Sequence, residues 1–456
     1  MRHSLRERKI TTSRIDLKAP LLQTQRNFIF LQGPTSGVFR DLGRALAQRG
    51  HTVERITLCP GDWLFWRGRD TIPYRGTLAA WPAFLEARIA AREATDIVYF
   101  ADRFPYHKAA QRVARRLGLR PISMEYGYLR PDWLILEEGG QSTYSHFPSD
   151  ASVLRSAAQN LPRIQPGALH AIPTSVEALC EAGFHLSNAF LGWLFPQYAP
   201  DRYYPVLQEF PAYVPRFLRR ARNARRASAL ITRLARLEKP LFLVPLQMQN
   251  DYQLRDNAPP GYQLRFIREV LDSFATAAPR AAHLIFKLHP LDNGLERWDL
   301  QIRALRAQAG LDGRVHVLDG GDLSALLAIA RGCVVINSTT GLHALRALVP
   351  TKVCGVSVYD IDGLTHQGPL AGFWTDPQPP EPDLLDDFVC AIAHGIHVRG
   401  AVYGASGRAA FVAQAIRRLE APRLHAHDLH VAIPPRLEHA RRLGINVDWP
   451  AERVAR

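Results

Sequence analysis

The chain has 456 residues, 47% of them hydrophobic, and a formal net charge of +15. That length and apolar content fit two domains of about 150–200 residues each. Five scattered cysteines, without a CxxC pair or zinc spacing, and apolar runs too short to span a bilayer exclude a disulfide framework, a zinc site and a transmembrane helix.

The charge is carried by arginine, which supplies 51 of the 57 basic residues. Codon bias of a GC-rich genome accounts for part of that. The surplus favours an anionic partner: nucleic acid, a phospholipid surface or a phosphorylated substrate. Residues 1–27 are charged and lack an apolar h-region, so they read as an N-terminal extension and not as a secretory signal. A cytoplasmic chain is the expectation.

In chain order, "RNFIFLQGPTSGVFRDLGRAL" predicts strand, glycine loop and helix, the opening of a doubly wound sheet. "ATDIVYFADRFPYHKAAQRVARRLGLRPISMEYGYL" repeats that unit with parallel strands, the second ending at Glu125. Together residues 28–205 are expected to form an N-terminal Rossmann-like domain. Helix signals dominate from about 150, and 206–239 reads as a basic helical linker. Of its eight arginines between Arg216 and Arg236, six share one helical face, opposite Phe217, Ala224, Ile231 and Leu234. Strands and helices alternate again through "LFLVPL", "AHLIFKLHP", "VHVLDG", "CVVINS" and "TKVCGVSVYD", predicting a C-terminal Rossmann-like domain over 240–400. Residues 401–456 are expected to supply a helix closing that domain and a peripheral tail. The fold class is therefore α/β, two Rossmann-like domains facing across a cleft. Ligands in such sheets sit at the carboxyl ends of strands.

Four clusters fall at those ends. Gln32 and Gly33 open a loop after the first strand, where free N–H groups suit an anion, although a tight turn needs the same residues. Arg103 and His107 follow a strand, as do Glu125 and Arg130. A carboxylate at Glu125 suits a general base, a cap or ion pair being the plainer alternative. Asp251 stands a few residues beyond "LFLVPL", among the amides Gln247, Gln249 and Asn250, which suit holding a carboxylate ionised. His289 and Pro290 end another strand, while Ser338, Thr339, Thr340 and Gly341 open a helix. An imidazole beside those hydroxyls and N–H groups suits a phosphate; ordinary N-capping asks for the same hydroxyls. No DxD follows a strand in the position of a metal site, so neither metal nor cofactor is expected.

The ordered motifs "FLQGPTSGVFRDLGRAL…GDW", "EYGYLRPDW", "PLQMQND", "FKLHP", "INSTTGL" and "YDIDGLTHQG" resemble the KpsS/LipB family of bacterial capsule-assembly proteins from about residue 28 to 420. The resemblance implies a GT-B-like fold, with 28–205 as acceptor domain and 240–400 as CMP-sugar-binding domain. It implies a β-Kdo transferase, peripheral at the inner face of the cytoplasmic membrane, that uses CMP-Kdo and starts a poly-Kdo linker on a phosphatidylglycerol-type lipid. It implies Asp251 as nucleophile of a double displacement, Glu125 as activator of the acceptor hydroxyl, and His289 with Ser338 and Thr339 as holders of the CMP phosphate. Gln247, Pro290, Thr340 and Gly341 join the donor side; Gln32, Gly33, Arg103, His107 and Arg130 join the acceptor side. The partners implied are a CMP-sugar, an anionic phospholipid at a membrane surface, a KpsC-type transferase and capsule export machinery. A GT-B transferase for another nucleotide sugar and a non-catalytic export or scaffold component are the alternatives. Nucleic-acid binding lacks any RRM, KH or helix-turn-helix signature.

Overall fold

A computed structural model describes residues 25–164, 167–425 and 428–449, so most of the N-terminal extension and the last residues of the tail lie outside the described residues. Among the described residues twelve strands form two sheets. β1 (Asn27–Phe30), β2 (Thr52–Thr57), β3 (Thr71–Pro73), β4 (Asp96–Phe100), β5 (Arg120–Tyr126) and β6 (Trp133–Glu138) belong to the first. β7 (Leu241–Pro245), β8 (His283–Leu288), β9 (Val315–Asp319), β10 (Gly332–Val335) and β11 (Thr351–Val353) form the second, and β12 (His397–Arg399) returns to the first.

The order in the first sheet is β12-β6-β5-β4-β1-β2-β3, and in the second β11-β10-β7-β8-β9. "LFLVP" is apolar throughout, and "DIVYF" is apolar after Asp96, because helices cover both faces of these strands. These are two Rossmann-like units in a GT-B-like arrangement, as the sequence implied.

Three features differ from the sequence reading. The first sheet is not wholly parallel: β6 runs antiparallel to β5, and β12 antiparallel to β6. The short "GYLRPD" connection between β5 and β6 leaves no room for the crossover that a parallel pair requires. The helix Ala405–Glu420 packs on Val38–Gln48 of the first unit, with Arg408 Nε 3.0 Å from Asp41 Oδ2, and so does not close the second. The tail is not peripheral either. Arg436 is buried and donates to the carbonyls of Phe147 (2.7 Å), Pro148 (3.2 Å), Ser357 (3.1 Å) and Val358 (2.9 Å).

The basic segment is one helix, Val206–Ala235. Ala227, Ile231 and Leu234 pack into the core against Leu241 and Leu318. Phe217, placed on the same face by the 100° count, is instead 74% exposed. Pro211 and Pro215 interrupt the i→i−4 ladder just before it, so a straight-helix count does not carry through that turn. Among the described residues no helix is long and apolar enough to cross a membrane.

Candidate active site

β7 lies at the centre of its sheet, between β10 and β8. Neighbouring strands stand about 4.8 Å apart, so the ends of β10 and β8 flank the end of β7 within about 10 Å. The loop after β7 carries Gln247 to Asp251, the one after β8 carries His289, and the one after β10 leads to Ser338. All three donor-side segments therefore emerge at one edge of the sheet.

Asp251 is half-buried and caps the short helix Tyr252–Asn257, accepting from the backbone N–H of Gln253 at 2.9 Å. Burial raises its pKa, and the N–H groups of Gln253 and Leu254, the charge of Arg255 and the side chain of Gln247 hold it down. Gln247 is buried; its backbone N–H bonds Gln263 Oε1 at 2.8 Å and its Nε2 donates to Asn337 Oδ1 at 2.9 Å. Asn337 in turn donates to the carbonyls of Gln253 and Asn257, both at 3.2 Å. This chain of amides ties the Asp251 helix to the loop that starts Ser338. The side-chain carbonyl oxygens of Gln247 and Gln249 are buried without a hydrogen-bonding partner among the described residues.

Ser338 caps the helix Thr339–Arg346, its Oγ accepting from Thr340 N–H at 3.2 Å. Gly341 has to be glycine: a Cβ there would stand 2.4 Å from Tyr359 Oη, whose hydroxyl donates to the Ser338 carbonyl. His289 is half-buried with its pKa lowered to about 4, by burial first and then by Lys287, so its imidazole is neutral at pH 7. Its Nδ1 accepts from Leu291 N–H at 3.1 Å; Pro290 is exposed.

Glu125 occupies the next-to-last position of β5, on the opposite wall. Burial pushes its carboxyl up to about 8; the N–H of Tyr126 and the charge of Arg130 oppose this, while the charges of Asp251 and Asp102 add to it. Arg130 stands over the Tyr126 ring, 5.0 Å from its centroid. Tyr252, adjacent to Asp251, crosses the cleft and donates its hydroxyl to Glu125 Oε2. Its ring meets Phe104 edge-on at 5.3 Å. The two candidate carboxylates are thus joined through one tyrosine. Nothing local in "QNDYQ" encodes that bridge, so Tyr252 was not legible; Asn337 stood inside a motif already singled out.

Beside Glu125, a cavity of about 260 Å³ opens at the ends of β1, β4 and β5. Gln32, Gly33, Phe100, Phe104, Tyr126 and Tyr198 line it. Gly33 lets the loop press on Phe39, whose ring would lie 2.8 Å from a Cβ. Gln32 donates to Tyr198 Oη at 3.4 Å.

Arg103 and His107 are not brought to this place. Arg103 is buried over the Tyr144 ring at 4.3 Å and donates to Gln111 Oε1 at 3.3 Å. His107 is buried, stacked on Tyr99, and bonded through Nδ1 to the Ala101 carbonyl at 2.8 Å. Both follow β4, but the turn at Ala101, with φ of 61°, directs them into the packing. Asp360 of the "DID" stretch accepts from Thr365 Oγ1 at 2.6 Å, a loop-bracing bond.

Residues 95–403 match the family described as capsule polysaccharide biosynthesis protein. The chain belongs to that family. Among its relatives, capsule polysaccharide export protein KpsS of Escherichia coli is 30% identical over 81% of this chain and 94% of its own length. Capsule polysaccharide modification protein LipB of Neisseria meningitidis serogroup B is 32% identical over 80% of this chain and 88% of its own. Of solved structures, the β-Kdo 2,7-transferase KpsC of Thermosulfurimonas dismutans is similar over 85% of this chain and 99% of that one, at 14% identity and a TM-score of 0.40.

Proposed function

We propose that this family member is a retaining β-Kdo transferase, moving Kdo from CMP-Kdo to a phosphatidylglycerol-type lipid at the inner face of the membrane and so starting a capsule linker. One observation carries the reading: Asp251 and Glu125 come from opposite domains to one cleft and are joined through Tyr252. The capsule-pathway names of the relatives and the motif resemblance support the substrate class.

In this reading the CMP phosphate rests on the hydroxyl-rich start of the Thr339–Arg346 helix, where orphan N–H groups favour an anion. Neutral His289 donates a hydrogen bond from its free ring nitrogen. The Asp251 carboxylate attacks the anomeric carbon while the bond from that carbon to the phosphate oxygen breaks, and CMP leaves with the electron pair. The acceptor hydroxyl then gives its proton to ionised Glu125 and displaces Asp251. The apolar cavity beside Glu125 suits the acyl-glycerol part of such an acceptor. No metal is assigned a part.

The test is incubation of the purified chain with CMP-Kdo and a fluorescent phosphatidylglycerol analogue, followed by mass spectrometry. A gain of one Kdo, lost in Asp251→Asn, is expected. Product with CMP-sialic acid in place of CMP-Kdo would reassign the donor, and no CMP release from either would overturn the transferase reading.

A further inference from the structure

The helix Val206–Ala235 roofs a second cavity, of about 670 Å³, away from the carboxylates. Its floor is the ends of β8 and β9, and its far wall carries Arg297 and Arg303, at and within the helix Trp298–Gln308. Six arginines line it against two aspartates, Asp299 and Asp319. Arg216 is engaged with Asp319 at 2.6 Å and Asp292 at 3.6 Å, and Asn223 takes the other oxygen of Asp319 at 2.8 Å. The remaining five, Arg219, Arg222, Arg226, Arg297 and Arg303, form no ion pair among the described residues. Five exposed guanidinium groups thus gather around one hollow, and their forked donors match phosphate oxygens in pairs.

The Ser338 loop does not line this hollow. The hollow's floor begins at β8, two strands from β10, and runs out to β9, three strands away, about 10–14 Å at ordinary strand spacing. It also has an apolar neighbour. Ala227 and Ile231 of the long helix pack into the core. Arg219, Arg222 and Arg226 line the cavity, while Val214, Phe217 and Leu218 of the same helix are exposed outside its lining and form an apolar flank. A free phosphate or a nucleotide has no use for exposed aromatic and leucine side chains beside its site. A bilayer has: its phosphates meet the cations and its acyl boundary takes the apolar flank. We infer that the arginine-lined cavity seats headgroup phosphate of an anionic bilayer and docks the chain there. This deepens the proposed function, which rests on an acceptor held in such a bilayer.

Vesicle flotation of the full chain tests it, with phosphatidylcholine vesicles against a mixture containing phosphatidylglycerol. Arg297→Gln with Arg303→Gln alters the cavity wall that is not on the long helix. Arg220→Gln with Arg225→Gln removes the same charge from that helix outside the cavity. The wall pair should weaken binding to the anionic vesicles by about tenfold or more, and the helix pair by less than about threefold. Equal losses would mean diffuse attraction to the surface and would overturn the cavity, as would absence of wild-type binding to anionic vesicles. Calorimetry with inorganic phosphate separates the sources: phosphate binding lost in the wall pair while vesicle binding stays intact would also overturn the bilayer assignment. Flotation reads the cavity and CMP release reads the transfer, so either can fail alone.

Discussion

Tyr252 gives its hydroxyl hydrogen to Oε2 of Glu125 across the domain boundary, so the helix capped by Asp251 is also what touches the opposite carboxyl. A donor to a carboxylate stabilises its charged form, by about 1.5 kcal/mol or more. Tyr252→Phe should therefore raise the Glu125 pKa further, by about one unit. If ionised Glu125 activates the acceptor, the acidic limb of the kcat/KM profile moves up by that amount while the fold persists. A limb that stays in place would remove Tyr252 from the control of Glu125.

Glu125 itself gives a stability signature. Its carboxyl is held at about 8, chiefly by burial, against about 4.3 in an unfolded chain. Between those values the folded state keeps a proton that the unfolded state has released, so stability falls as pH rises through the window and is fully present below it. Glu125→Gln lacks that titration. Its melting temperature should equal wild type near pH 4 and exceed it by several degrees at pH 9, while transfer falls by at least about 100-fold. Melting curves that decline in parallel from pH 4 to 9 would show that Glu125 does not carry the proton.

Much of this site was legible because strand ends are legible. The alternation of apolar runs with helical patterns put Gln32, Glu125, Asp251, His289 and Ser338 at carboxyl ends, and each stands there. What the pattern could not show was long-range partnership. β12 is only three residues, too short for a period, and its pairing with β6 is a tertiary fact. Arg103 and His107 share the position of true cleft residues in sequence, and a single left-handed turn at Ala101 sends them inward. Arg436 looked like any basic tail residue until four carbonyls from two separate loops converged on it. Tyr252 is the same lesson in the cleft.

Asp251 has two roles that substitution separates. Asparagine caps a helix about as well as aspartate, whereas alanine costs about 1 kcal/mol. Asp251→Asn should keep the melting temperature within about 1 °C and lose transfer by at least about 1,000-fold; Asp251→Ala should lose both. In the Glu125→Gln background, where the second displacement is slowed, CMP-Kdo should leave a Kdo-sized mass on the peptide holding Asp251. Full CMP turnover by Asp251→Asn would reject the nucleophile.

Gly341 makes a prediction about the donor loop. A methyl group there would press on the Tyr359 hydroxyl, which holds the Ser338 carbonyl. Tyr359 is fully buried and has little freedom to yield. Gly341→Ala should cost about 1–3 kcal/mol in stability and weaken CMP binding by about tenfold, with Tyr359→Phe restoring part of the stability by freeing the space of the hydroxyl. CMP affinity equal to wild type in Gly341→Ala would detach this loop from the donor.

The last prediction concerns what keeps the two walls in register. Arg436 is buried where the segment Phe147–Pro148, which follows β6, meets the segment Ser357–Val358, which follows β11. One guanidinium satisfies four carbonyls that otherwise lie away from water, and it does so from both domains. Arg436→Met fills much of the volume but donates nothing, leaving those oxygens bare at a cost of at least about 3 kcal/mol in total. Arg436→Lys restores charge without the planar fork and should recover less than half of the loss. Because the same contact fixes one domain against the other, the methionine variant should also loosen the Tyr252–Glu125 bridge. Amide exchange in the Tyr252–Asn257 helix is then expected to quicken by more than exchange in β4, which lies at the centre of the first sheet. Equal acceleration in both would make Arg436 a contributor to global stability with no share in positioning the cleft.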